Sequence, residues 1–282
     1  MSIDVEYNNL LSSAVTLTLA AGTDNVFTGM SVSNSSDYCD FYKFYVRETG
    51  TSADYAKIEF SSNVDFDLTL YGANGETVTQ SWSYHPYEEI SFSGLAPGLY
   101  YLRVNAYSGS GDYSMTIHSP AYSQKNLSGE SVETGDALYL FSGDRSADTT
   151  IAYGGTLSVY ADAVLTGETR IAGTMKVYEE FDARGSSITF DLTGRSSSDE
   201  VIIDNLAGIS NADYSVTVAA DQGCGFYLLG GHATSFSETL SIDNAAGDRL
   251  GTLMAGSRLV VDGHQYMLSV DNDQIGLVVA PY

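Results

Sequence analysis

Two aspartates spaced two residues apart are the first side chains in this sequence that could do chemistry. Asp65 and Asp67 open the segment DFDLTLYGANGETVTQS, in which apolar and polar residues alternate on both sides of Asn74-Gly75. A strand rises about 3.3 Å per residue, so the two carboxylates would lie roughly 6.6 Å apart on one face. Glycosidases place their catalytic carboxylates at a similar separation, but within a substrate cleft. On the polar face of a hairpin, the pair is predicted to hold a cation or to be solvated rather than to catalyse.

Oxygen-bearing side chains also gather in the segment SNSSDYCD, which precedes this hairpin. Calcium takes several carboxylate, amide and carbonyl oxygens as ligands. Asn34, Asp37 and Asp40, joined by Asp65 or Asp67 from across the sheet, are the side chains that could bind such an ion. Two interpretations stay open for these residues, a structural calcium site and a set of solvated surface carboxylates.

Three aromatic residues follow the hairpin in the segment WSYHPYEE, which is predicted as a loop or an edge strand. Trp82, Tyr84 and Tyr87 could stack on a sugar or a peptide, because exposed aromatic rings commonly serve as binding platforms. They could equally pack against the second half of the chain. These three residues are the candidate ligand-binding side chains.

Motifs of known catalytic machinery are absent from the sequence. It contains no Gly-x-Ser-x-Gly elbow, no His-Glu-x-x-His and no phosphate-binding glycine loop. The histidines are scattered at positions 85, 118, 232 and 264. Cys39 and Cys224 lack the spacing of a metal site or a disulfide framework, and spacing alone leaves their pairing open. We expect both cysteines to be free and buried, and no residue is assigned a catalytic role.

The elements that must position the candidate residues show a period of two. In DFDLTLY the alternation directs Phe66, Leu68 and Leu70 inward and leaves the two aspartates outward. Further alternating segments, YAKIEF, GLAPGLYYLRVNAY and GDYSMTI, follow at short spacing and are separated by turn residues. This pattern predicts an antiparallel β-sandwich in the first part of the chain.

Three blocks of this region, DYCDFYKFYV, DFDLTLYGANGETVTQS and GLAPGLYYLRVNAYSGSGDYSMTI, have the order and spacing of a known family. Residues 15–118 resemble the bacterial pre-peptidase C-terminal domain, an accessory β-sandwich carried by many secreted proteases. The resemblance implies a jelly-roll-like sandwich without a catalytic site of its own. It also implies calcium near the start of the sandwich, because domains of this type often carry such a site.

The second half of the sequence has a different pattern of apolar residues. Residues 136–282 contain short apolar segments punctuated by glycine, among which GGTLSVY, AVLTGETRI and AGTMKVY are loosely similar. Such repetition predicts a Gly-rich β-solenoid or a second β-rich domain, and it resembles the passenger repeats of autotransporter-like bacterial surface proteins. The predicted organisation is a sandwich over 1–120, a polar linker over 121–135 and this second domain.

Charge and hydropathy restrict the partners. The chain has 36 acidic and 12 basic residues, a formal net charge of −24. Nucleic acid is excluded, because phosphate binding requires clustered Lys and Arg. Insertion of this chain into a membrane is not expected either, because no apolar stretch is long enough for a spanning helix. The acidic start, MSIDVEYNN, does not suit a secretory signal, so a protein located outside the cell or on its surface would need an export signal that this chain lacks.

These observations together predict a non-catalytic module of a secreted or cell-surface bacterial protein. Its work would be adhesion, display or the binding of an extracellular protein or carbohydrate, with calcium as a structural ion. The alternative is a secreted hydrolase, a peptidase or glycosidase, whose site is built from scattered residues. A deep pocket with a nucleophile and titratable partners would favour the enzyme, whereas an open surface with aromatic side chains would favour binding.

Overall fold

A computed structural model describes residues 8–282 and shows a protein built almost entirely of strands. The chain divides into two compact units, of which the first ends at Ser123 and the second begins at Gln124. Within the described residues, helical structure is limited to 3-10 turns at Leu11–Ser13 and Leu206–Gly208. The predicted all-β fold class is confirmed. Residues 1–7, which include most of the acidic start, lie outside the described residues.

The first unit is an antiparallel sandwich of two sheets. Its strands are β1 (Val15–Thr16), β2 (Asp24–Ser33), β3 (Cys39–Val46), β4 (Tyr55–Phe60), β5 (Asp65–Gly72), β6 (Thr77–Ser81), β7 (Tyr87–Ser91), β8 (Gly98–Ser108) and β9 (Ser110–His118). One sheet has the order β1-β3-β8-β5-β6 and the other the order β2-β9-β4-β7. All pairs are antiparallel except β1 with β3.

The core of the first unit lies between these two sheets. Phe66, Leu68 and Leu70 of β5 are fully buried, and the intervening residues of that strand are only half-buried. The inward and outward faces of the strand therefore agree with the prediction from its period of two. The turn that follows β5 differs from the usual Asn-Gly hairpin turn, in which both residues have positive φ. Here Gly75 has a positive φ, of +79°, and Asn74 does not. Asn74 instead accepts a hydrogen bond from the Glu76 amide through its side chain, at 3.2 Å.

The second unit begins with short strands that pair in parallel. Its strands are β10 (Asn126–Ser128), β11 (Ser131–Val132), β12 (Ala137–Leu140), β13 (Arg145–Ile151), β14 (Thr156–Val159), β15 (Val164–Ile171), β16 (Thr174–Val177), β17 (Phe181–Asp182), β18 (Ser186–Asp191), β19 (Ile209–Ser210), β20 (Asp213–Val218), β21 (Gly225–Gly231), β22 (Leu240–Asn244), β23 (Arg249–Leu253), β24 (Arg258–Val261), β25 (His264–Asp271) and β26 (Gln274–Pro281). One ladder runs β10-β13-β15-β18-β20-β22 in parallel, and another runs β12-β14-β16.

The loosely similar segments of the sequence lie in these ladders. GGTLSVY contains β14 and AGTMKVY contains β16, and the two strands pair with Thr156 beside Thr174 and Val159 beside Val177. A Cβ atom on Gly173 would lie 2.3 Å from the carbonyl oxygen of Gly155. Glycine is therefore required where these neighbouring turns approach most closely.

The end of the second unit is antiparallel. Strands β21, β26, β25 and β24 form one sheet in that order, and β23 pairs antiparallel with β22. The turn between β24 and β25 has positive φ at both Asp262 and Gly263, a conformation that an Asp-Gly pair favours.

The residues predicted as a linker, 121–135, contain two strands. Both β10 and β11 pair in parallel with β13, so most of this polar segment belongs to the second unit. A polar sequence can form such strands because they are only two or three residues long and mostly exposed. No helix among residues 8–282 is long and apolar enough to cross a membrane.

Candidate ligand-binding site

The outer face of the five-stranded sheet in the first unit carries a pocket of about 270 Å³. Strand β5, the loop between β6 and β7, and the end of β8 contribute its walls. The lining residues are Asp65, Asp67, Trp82, Ser83, Tyr84 and Tyr107. Two of the sequence-predicted groups, the aspartate pair and the aromatic loop, therefore meet in one place.

A β-bulge brings Tyr107 to this pocket. Asp65 pairs with Ser108 of β8, whereas the next residue, Phe66, pairs with Ala106. Tyr107 is thus an extra residue in β8, and such bulges redirect side chains out of the normal alternation. Its ring is 66% exposed beside the aspartates. The position of Tyr107 does not follow from the sequence pattern, because a bulge interrupts the period of two in β8.

The aromatic loop is held in place by Glu88. This side chain points into the unit from β7 and is 1% exposed. Its carboxylate accepts hydrogen bonds from the Ser83 amide and the Ser83 hydroxyl, each at 2.7 Å, and from the Ser81 hydroxyl. These bonds fix the backbone on both sides of Trp82, so the loop is anchored although its aromatic rings are exposed.

The aromatic walls are unusually accessible for such large side chains. Trp82 is 71% exposed and Tyr84 is 95% exposed. Single exposed aromatic residues are common on protein surfaces, but three around one concavity are typical of an interaction site. The pocket therefore combines apolar contact area with acidic groups.

Electrostatics make the floor of the pocket negative. Burial, together with the neighbouring charges of Asp65 and Glu88, raises the pKa of Asp67 above its ordinary value. Arg103 has the opposite effect on this carboxyl, yet its own guanidinium donates to Asn105 Oδ1 at 2.8 Å. Neither pocket aspartate forms an ion pair with any residue that the structure describes.

One oxygen of the pair has no partner. Oδ1 of Asp65 is buried and accepts no hydrogen bond within residues 8–282. A buried polar atom without a partner costs about 1–3 kcal/mol.

The remaining predicted residues lie elsewhere. Tyr87 does not line the pocket, and its ring lies 5.1 Å from the ammonium of Lys57 instead. Asp40 is fully buried between the two sheets, where Oδ2 accepts hydrogen bonds from Tyr113 at 2.6 Å and Tyr42 at 3.3 Å. Asn34 is exposed after the end of β2.

The five predicted metal ligands are therefore not gathered around one point. Asp37 is buried in the turn that follows β2, whereas Asp65 and Asp67 belong to the pocket. Within residues 8–282, no three His, Cys, Asp or Glu side chains are placed to share a metal ion. Calcium binding stays a prediction.

The cysteines are both free, and they differ in environment. Cys39 is buried, and burial raises the pKa of its thiol. Cys224 is exposed, so the expectation that both are buried is wrong for this residue. It lies between Gly223 and Gly225 in the loop before β21, where the chain turns at the surface.

A second, smaller concavity bears on the alternative of an enzyme. It lies in the second unit, measures about 130 Å³ and is lined by residues that include His232, Ser235 and Glu238. His232 lies 3.3 Å from Asp273, but these two side chains are 67% and 48% exposed. Among the described residues, no serine hydroxyl is hydrogen-bonded to His232, which is the contact that would activate a serine nucleophile.

The first unit is thus a β-sandwich with an open concavity lined by aromatic and acidic side chains. Residues 38–106 match the family model of the bacterial pre-peptidase C-terminal domain. The resemblance of the first unit to that domain is thereby confirmed. The match covers part of one unit, and it fits a non-catalytic extracellular module.

Two solved structures are similar to part of the chain. The pre-peptidase C-terminal domain of a collagenase from Bacillus anthracis is 21% identical, with a TM-score of 0.30 over 36% of this chain and 91% of that one. PliG from Aeromonas hydrophila, a periplasmic inhibitor of g-type lysozyme, is 12% identical, with a TM-score of 0.27 over 37% and 94% of the respective chains. No curated protein matches the chain.

Proposed function

We propose that this protein is a non-catalytic module of a secreted or cell-surface bacterial protein, and that it binds an extracellular protein or carbohydrate. The observation that carries the proposal is the pocket of the first unit, in which Trp82, Tyr84 and Tyr107 surround two carboxylates. An open pocket with exposed aromatic rings suits binding and release of a ligand. It does not exclude water from a reacting centre, as catalysis commonly requires.

The aspartate pair is better suited to binding than to glycoside hydrolysis. A glycosidase needs one carboxyl group that donates a proton and another that remains charged, on opposite sides of a buried glycosidic bond. Asp65 and Asp67 belong to one face of one strand and line the pocket side by side. They are placed to act on the same group of a ligand.

Binding can be tested with arrays of immobilised glycans and extracellular proteins. We expect the full chain to bind a subset of these ligands, and the variant Trp82→Ala/Tyr84→Ala to lose that binding at unchanged thermal stability. Tyr282→Ala is the matched control, because Tyr282 is 80% exposed and belongs to the second unit. Equal binding by both variants would contradict the proposal.

The absence of catalysis is tested in parallel. We expect no turnover of peptide, ester or glycoside substrates by the purified chain. Turnover that disappears in His232→Ala or Asp65→Asn would favour the hydrolase instead.

Calcium as a structural ion of the first unit remains a further proposal. Of the five candidate ligands, Asp65 and Asp67 share one open face, where an ion could complete its coordination with water. A ligand at a hundredfold excess over its Kd stabilises the native state by about 2.7 kcal/mol. Calcium should raise the Tm of the wild type and not that of Asp65→Asn/Asp67→Asn. The same Tm with calcium and with chelator would contradict the proposal.

A further inference from the structure

We infer that the pocket of the first unit receives a cationic side chain, Arg or Lys, from an extended peptide segment of a partner protein. Asp65 and Asp67 would face the charge, and the rings of Trp82, Tyr84 and Tyr107 would enclose the stem of the side chain. The inference rests on the proposed function and names the chemistry of its ligand.

The charge of the pocket favours a cationic ligand. Two carboxylates line it, and neither aspartate is ion-paired to a residue that the structure describes. The charge of Arg103 lowers the pKa of Asp67, but this guanidinium donates to Asn105 and forms no ion pair with either aspartate. A guanidinium or ammonium group would relieve the repulsion between the two carboxylates, which a neutral group cannot do.

The aromatic walls of the pocket favour a long side chain that ends in a cation. A cation close to the face of a Trp or Tyr ring is attracted by the negative potential of that face, and Trp gives the strongest interaction. Arginine and lysine also have apolar stems, which pack along aromatic surface while the charged end remains with its counter-ion. A site that offers both acidic oxygens and exposed rings is complementary to both parts of such a side chain.

The size of the pocket favours a single side chain as its occupant. Its volume is about 270 Å³, which lies below the range of roughly 300–1,000 Å³ of sites that enclose a whole small-molecule ligand. One long side chain therefore suits the pocket better than an oligosaccharide does.

The same chemistry occurs inside this unit. The ammonium of Lys57 lies 2.8 Å from a carboxylate oxygen of Glu59 and 5.1 Å from the centre of the Tyr87 ring. Lys57 thus contacts both an acid and an aromatic ring. The pocket offers the same two groups without a cation between them.

The test uses Trp82 as its own reporter, because it is the single tryptophan of the chain. A short capped peptide with one central arginine is titrated into the full chain, in the presence of chelator, while the fluorescence of Trp82 is recorded. A second peptide carries citrulline, which has nearly the shape of arginine but no charge. A neutral maltooligosaccharide serves as the carbohydrate probe.

We expect the arginine peptide to change the fluorescence in a saturable manner and the citrulline peptide to bind at least about tenfold more weakly. The affinity should fall as the salt concentration rises from about 0.05 M to about 0.5 M, because salt screens exposed charges. Asp65→Asn/Asp67→Asn should weaken binding about tenfold or more. The control Glu89→Gln/Asp112→Asn removes the same charge from exposed positions outside the pocket and should leave the affinity unchanged.

Equal affinity for arginine and citrulline, or equal loss in both double variants, would overturn the inference. So would saturable binding of the maltooligosaccharide alone, although that result would support the pocket as the ligand site. If no peptide binds and the array ligands also bind Trp82→Ala/Tyr84→Ala normally, both the inference and the proposed function are wrong.

Discussion

At the scale of single residues, three buried carboxylates of the first unit accept hydrogen bonds from loops and strands around them. Glu88 binds the loop that carries the pocket aromatics, and Asp40 binds two tyrosine hydroxyls in the core. Asp54 binds both Thr51 and His118. Each of these acids is nearly inaccessible to solvent and is satisfied by hydrogen bonds. Buried charges of this kind are tolerated only with such partners, and removal of either side is costly.

Glu88→Ala should release the aromatic loop. The substitution leaves the Ser83 amide and two serine hydroxyls without their acceptor, at an expected cost of about 2 kcal/mol in the free energy of unfolding. Time-resolved anisotropy should show faster local motion of Trp82, and ligand binding should weaken. Glu89→Ala changes the adjacent, exposed residue and should affect neither the free energy of unfolding, nor the motion of Trp82, nor ligand binding. Similar behaviour of the two variants would contradict the positioning role of Glu88.

Asp54 should make the stability of the first unit sensitive to acid. Burial alone would raise the pKa of this carboxyl, but hydrogen bonds from Thr51 and the contact with His118 outweigh it and lower the pKa. A carboxyl whose pKa is lower in the folded state stabilises the protein above its unfolded pKa, about 3.9, and this contribution disappears as the pH falls through the folded value.

The measurement is urea unfolding between neutral pH and about pH 2. Asp54→Asn should be less stable than the wild type at neutral pH and should lose less stability below about pH 4, because it lacks this titration. Parallel stability curves for the two proteins would show that Asp54 does not contribute.

At the scale of elements, stacked aromatic rings connect neighbouring turns of the second unit. Phe141 lies 4.6 Å from Tyr160 between ring centres, and Tyr160 lies 4.6 Å from Tyr178, with interplanar angles of 12° and 5°. Each of these aromatic residues comes directly after the end of a strand in the ladder β12-β14-β16. The stack therefore reinforces the backbone pairing between consecutive turns.

Tyr160→Ala should destabilise the second unit more than the same substitution at an exposed tyrosine. Tyr160 is 2% exposed and is the middle ring of the stack. Its removal leaves a cavity and both ring contacts unmade, which typically costs about 3–5 kcal/mol. Chemical denaturation should show this loss, whereas Tyr282→Ala should change stability by less than about 0.5 kcal/mol. A loss below about 1 kcal/mol for Tyr160→Ala would argue against a stabilising stack.

The sequence predicts elements whose alternation is regular and misses positions where it breaks. The outward direction of Asp65 and Asp67 follows from the period of two in β5. The inward direction of Asp40 could have been read in the same way, because it shares parity with the apolar residues of DYCDFYKFYV. Tyr107 could not, since its position depends on a bulge, and the register of two strands is set by their pairing and not by either sequence alone.

At the scale of the whole chain, the two units differ in how far apart in sequence their paired strands lie. In the first, β9 pairs with both β2 and β4 and thereby joins its beginning to its end. In the second, parallel pairs join strands from successive turns. The first unit therefore depends on distant segments, including residues after the family match at 38–106, whereas the parallel ladders of the second unit pair strands of consecutive turns.

This difference predicts how the chain can be divided. A fragment that ends at Ser123 retains β9, and we expect it to unfold cooperatively and to keep the fluorescence response of Trp82 to ligand. A fragment that ends at Ala106 contains the family match but lacks β9, so β2 and β4 lose the strand between them. It should fail to fold, because the inner face of the remaining sheet would expose its apolar residues to water. The fragment from Gln124 to Tyr282 should show a strand-rich circular dichroism spectrum by itself and should not bind the ligand. Cooperative unfolding of the Ala106 fragment, or binding by the Gln124–Tyr282 fragment, would contradict this division of structure and function.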